Sequence, residues 1–77
     1  MNTYERKKLK RFLLSNPLLT SDKPIARAII YSEIHKIVNR LHKDEPKVTR
    51  VAIEGEIIGN VEILINEINA DKRKQLN

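Results

Sequence analysis

Between residues 48 and 66 the chain alternates. Val51, Ile53, Gly55, Ile57, Gly59, Val61, Ile63 and Ile65 hold the odd positions. The even ones are polar or small at Ala52, Glu54, Glu56, Asn60, Glu62 and Asn66, with Ile58 and Leu64 as exceptions. Alternation combined with β-branched residues is the pattern of a half-buried strand. Gly59-Asn60 marks a turn. A loop of Ile58-Gly59-Asn60 pairs Ile57 with Val61 and Ile53 with Ile65, so the apolar odd residues share one face. Asn60 takes the left-handed position of that loop. A rival pattern runs through the same residues. Ile57, Ile58, Val61, Leu64, Ile65 and Ile68 form a helical stripe, at a cost of about 1 kcal/mol for Gly59 in a helix interior. The hairpin is the preferred reading, and a helix over 56–70 stays open beside it.

The first part of the chain has helical spacing. Over 2–15, Leu9, Phe12 and Leu13 fall on one face, and Asn2 with Glu5 fits a capping box. Asn16-Pro17 ends this element, because proline disfavours helix in the residue before it. Leu18 and Leu19 anchor the connection, and Thr20, Ser21 and Asp22 are capable caps ahead of Pro24 in a first turn. Further on, Ile34, Ile37, Val38 and Leu41 form a stripe. Extended backwards at about 100° per residue, that helix carries Ile25 and Ile29 on its opposite side. A turn near Ile30–Ser32 would let both sets face one core and is preferred over a single helix across 24–43. Asp44-Glu45-Pro46 ends the element.

These elements predict an α+β fold, a small helix-turn-helix-like three-helix core with a C-terminal β-hairpin. The alternative is an all-α bundle of three to four helices. The chain of 77 residues suits one domain, placed at 1–70, with 71–77 as a basic, frayed tail. A hydrophobic share of 40% is enough to fold. A core this small gives only about 3–5 kcal/mol of net stability, which leaves little for a strained active site. Cysteine is absent, which excludes disulfides and thiolate metal sites and fits a reducing, cytoplasmic setting. No run of 18 apolar residues is present, so no membrane span is expected.

Charge changes the picture more than composition does. The formal net charge is +5. It comes from residues 1–47 and the tail, because 48–70 hold only Arg50 against Glu54, Glu56, Glu62 and Glu67. A basic half is the footprint expected of a polyanion binder; solubility is the plain alternative.

Phe12-Leu13-Leu14-Ser15-Asn16-Pro17-Leu18-Leu19-Thr20, followed by Ile25-Ala26-Arg27-Ala28-Ile29 and Ile34-His35-Lys36-Ile37-Val38-Asn39-Arg40-Leu41, resembles winged helix-turn-helix domains over residues 9–60. Two departures stand out: Ile30 sits where the family has a turn glycine, and about two residues are missing between Ser32 and Ile34. The resemblance implies that the third helix reads the major groove and the hairpin forms a wing.

On that reading Ser32, Lys36, Asn39 and Lys43, with Arg40 beside them, form the exposed face of the third helix. Lys and Arg engage phosphate or guanine, and Asn pairs with adenine. Arg6, Lys7, Lys8, Lys10 and Arg11 form the densest basic patch and would grip phosphates without reading sequence. Glu54, Glu56 and Glu62 would share the hairpin's outer face and turn it away from phosphate. His35 and His42 lie seven apart with no carboxylate in phase, so no zinc site is expected. No nucleophile–base arrangement or glycine-rich phosphate loop is present, so neither enzyme nor cofactor is expected. The expectation is a small DNA-binding accessory or regulatory protein, at home in a phage or mobile element, meeting duplex DNA as a homodimer. The alternative is a non-catalytic module that docks on a larger acidic protein partner.

Overall fold

The computed structural model describes residues 3–75, and these form an all-helical bundle. Helix α1 spans Thr3–Leu14, a single 3-10 turn spans Pro17–Thr20, α2 spans Pro24–Asp44 and α3 spans Arg50–Gln75. No strand occurs among the described residues. The expected α+β fold and its hairpin are therefore replaced by the all-α alternative. The Asn2 cap lies outside the described residues.

Helix α1 has Glu5 in its first turn and Arg11 in its last, both favourable to the helix dipole. It ends ahead of Asn16, whose Oδ1 accepts from the Leu18 N–H at 3.0 Å and opens the 3-10 turn. Pro24 occupies the first turn of α2 behind Lys23. Ser21 Oγ donates to the Leu18 carbonyl and accepts from the Lys23 N–H, so it caps the connector rather than the helix.

Helix α2 runs unbroken through Ile30–Ser32, where a turn was expected. Its buried stripe is Ala26, Ile30, Ile34 and Val38, with Ile37 and Leu41 packed beside it. The backward extension of the stripe passes through Ala26 and Ile30, not through Ile25 and Ile29. Those two stand 57% and 37% exposed. A turn was inferred from the premise that both must be buried, and that premise fails. With no glycine or proline between 25 and 45, nothing in the chain interrupts the ladder.

The correction at α3 has the same character. Ile53, Ile57, Val61, Leu64 and Ile68 are buried at steps of four, four, three and four. Ile63 and Val51, which the alternation turned inward, are 50% and 80% exposed, and Leu64, which it left out, is 1% exposed. No described residue has a positive φ, so Asn60 is helical rather than left-handed. A lone two-stranded hairpin is marginal and leaves both edges unpaired. A long helix satisfies the backbone internally and tolerates two glycines. Thr49 starts it, with Oγ1 accepting from the Ala52 N–H at 3.2 Å. Lys72, Arg73 and Lys74 complement its C-terminal dipole, so residues 71–75, expected as a tail, continue the helix. Without the hairpin there is no wing among the described residues, and the segment expected as a separate reading helix after Ser32 is the second half of α2.

The three helices run up, down and up. Thr20 fastens the connector at one end. It is 6% exposed; its hydroxyl donates to Pro17 O and accepts from Lys72 Nζ at 2.8 Å, and its carbonyl accepts from Asn69 Nδ2. His42 Nδ1 donates to the Val48 carbonyl at 3.0 Å and closes the opposite end. Leu9 and Leu13 of α1, with Leu19, complete the core.

The packing predicts a mutational series that reverses the strand reading. Ile63→Ala should change unfolding free energy by less than roughly 0.5 kcal/mol, whereas Leu64→Ala should cost about 2–5 kcal/mol. Gly59→Ala should add about 0.5–1 kcal/mol, since a Cβ there meets nothing within 4 Å. Urea denaturation measures all three.

Candidate nucleic-acid interface

Helix α1 lies across the seam between the other two helices, and its polar residues touch both. Arg6 turns to α3, where Nη1 donates to Asn60 Oδ1 at 3.2 Å and Nη2 to Glu67 Oε1 at 3.1 Å. Glu5 turns to α2 and accepts from Arg40 Nη2. Both arginines were expected to meet nucleic acid, and the fold engages both in joining helices. Lys10 is half-buried.

The remaining cations face outward. Lys7, Lys8 and Arg11 of α1 are exposed, as are Ser32, Lys36, Asn39 and Lys43 of α2. Residues far apart in sequence meet at the α1–α2 seam, where Lys8, Lys36 and Arg40 line one cleft with Phe12, Ile37, Glu5 and Glu33. Its two acids are occupied: Glu5 with Arg40, and Glu33 with Lys36 Nζ at 3.9 Å. Lys8 Nζ also stands 5.9 Å from the centre of the exposed Tyr4 ring. Sequence reasoning passed over Tyr4, although its i, i+4 spacing to Lys8 was a signal. On α2, Ser32, Lys36, Asn39 and Lys43 recur every three or four residues, about 4.5–6 Å apart along the axis.

Helix α3 carries the opposite charge. From Val51 to Ala70 it holds four glutamates and no Lys or Arg. Wound as a helix, Glu54, Glu56 and Glu62 do not form the shared acidic face that a hairpin would have given them. Glu54 lines a small cleft with His35 and Arg50, and Glu62 borders a different one. Among the described residues no group of three His, Cys, Asp or Glu could hold a metal, and no helix is long and apolar enough to cross a membrane. Compared with known families, with curated proteins and with solved structures, the chain matches none.

The ion pairs at the seam are partly solvated, which fixes their expected strength. A double-mutant cycle with Glu5→Gln and Arg40→Gln should give a coupling of about 0.5 kcal/mol. It should shrink when urea denaturation is repeated at high salt.

Proposed function

We propose that this chain is a non-catalytic polyanion-binding module. In this reading it grips the phosphate backbone of duplex DNA through α1 and α2, in a cytoplasmic setting. One observation carries it: α1 holds five Lys/Arg and α2 four, against Glu5, Glu33 and Asp44, while α3 between Val51 and Ala70 holds only acids. Phosphate is drawn to one side of the bundle and repelled from the other.

The groups that serve are the outward ones. Lys7, Lys8, Arg11, Lys36 and Lys43 are the candidates for phosphate contact, and Ser32 and Asn39 add polar donors on the same face of α2. Arg6 and Arg40 contribute to the field while holding helices together. Affinity from such contacts is modest, with a Kd of roughly 10⁻⁴–10⁻⁶ M at physiological salt, and does not depend on sequence. The other reading, a protein-docking module, draws on an open apolar cleft on a different part of the surface.

Fluorescence anisotropy with a labelled duplex tests the proposal. Between 50 and 200 mM salt, log K should fall with a slope of about −4, as expected for four or five neutralised phosphates. The double substitution Lys36→Gln/Lys43→Gln should flatten that slope by about two and weaken all sequences alike. Absence of binding at about 50 mM salt, where phosphate attraction is strongest, would sink the reading.

A further inference from the structure

The α2–α3 pair has two grooves, and α1 occupies one. The other is open. It is a cleft of about 440 Å³ with no residue of α1 in its lining, although residues 19–22 of the connector border it. Its floor is apolar, formed by Ile30 and Ile34 from α2 and by Ile58 and Ile65 from α3. Three helices thus fill three positions of an antiparallel four-helix arrangement, and the fourth is vacant.

The two helical walls of the cleft differ in sign, and the connector adds the exposed Asp22 at the border. Arg27 stands on the α2 wall and Glu62 on the α3 wall, both exposed. Neither has a hydrogen-bond or ion-pair partner among the described residues. Tyr31, 42% exposed, lies one turn beyond Arg27 on the same wall.

We infer that this cleft is a homodimer interface, covered by the same cleft of a second copy. A two-fold axis running along the groove lays α2 of each copy over α3 of the other. Arg27 of each then faces Glu62 of its mate, and the pairing occurs twice, as an isologous contact requires. A foreign helix would need an acidic flank for Arg27 and a basic flank for Glu62; a second copy already carries both. Tyr31 brings an aromatic ring with a polar tip, a side chain favoured at such contacts. A standard interface buries about 800 Å² per partner, a modest part of the 5722 Å² surface. The long α2–α3 face of a molecule measuring 47 × 25 × 17 Å has room for it. This pairing leaves α1 outermost on both copies and does not depend on nucleic acid.

Sedimentation equilibrium of the whole chain, without nucleic acid, is the test. The mass should rise from 9.0 kDa toward twice that value between micromolar and submillimolar concentration. Arg27→Glu and Glu62→Arg should each raise the dimer Kd by about tenfold, because each sets like charges face to face twice. The double variant Arg27→Glu/Glu62→Arg should return it to within about threefold of the parent, since the swapped pair is again complementary. Circular dichroism of each variant checks that the helices persist. A mass of 9.0 kDa at every concentration overturns the inference. So does a dimer indifferent to both single substitutions, or a double variant no better than the singles.

Discussion

The bundle rests on one stripe of α3: Ile53, Ile57, Val61, Leu64 and Ile68. Both other helices pack on this helix, α2 along most of its length and α1 over a shorter stretch. At 26 residues α3 is about 39 Å long, more than twice the length of α1. It is the surface on which two shorter elements meet. The stripe drifts slowly around the helix, which lets one continuous apolar strip serve two neighbours. A domain this small has little stability in reserve, so a defect in the stripe touches every contact at once. The Thr20 anchor is the polar counterpart, tying the connector to the far end of α3 so that the two chain reversals lie at opposite ends.

Where the chain punctuates itself, the sequence was legible. Asn16-Pro17 and Pro24 lie at the ends of elements because proline constrains its own residue and the one before it, whatever packs around them. The interior of each long helix was harder. Ile-rich segments satisfy period two and period 3.6 together, and β-branched propensity is weak enough for tertiary packing to override. Leu64 decided the matter, since it breaks the alternation and completes the helical stripe. Thr49 was a second signal, a capping residue three positions ahead of the Ala52 amide, but it stands directly before the residues that alternate. For α2, the error came from requiring Ile25 and Ile29 to be buried, when single exposed apolar residues are ordinary.

The candidate surface was legible in part for a similar reason. Residue identity gives the cations but not their orientation. Arg6 and Lys7 are neighbours in sequence, yet one joins α3 and the other faces solvent. The juxtaposition of Lys8 with Lys36 depends on how α1 is laid on α2, which periodicity alone does not supply. The cleft holding Arg27 and Glu62 was not visible at all, because its walls come from segments about thirty residues apart.

The Glu5–Arg6 dipeptide has a consequence for topology. A three-helix bundle can turn either way, with its first helix in one groove of the remaining pair or in the other. In the observed arrangement Glu5 meets basic α2 through Arg40, and Arg6 meets acidic α3 through Glu67. Moving α1 to the opposite groove, apolar side inward, exchanges its flanks. Glu5 would then look toward the helix with four glutamates and Arg6 toward the helix with Lys36, Arg40 and Lys43. Two adjacent residues of opposite sign thus add a charge bias toward the observed handedness, of the modest size that partly solvated ion pairs contribute.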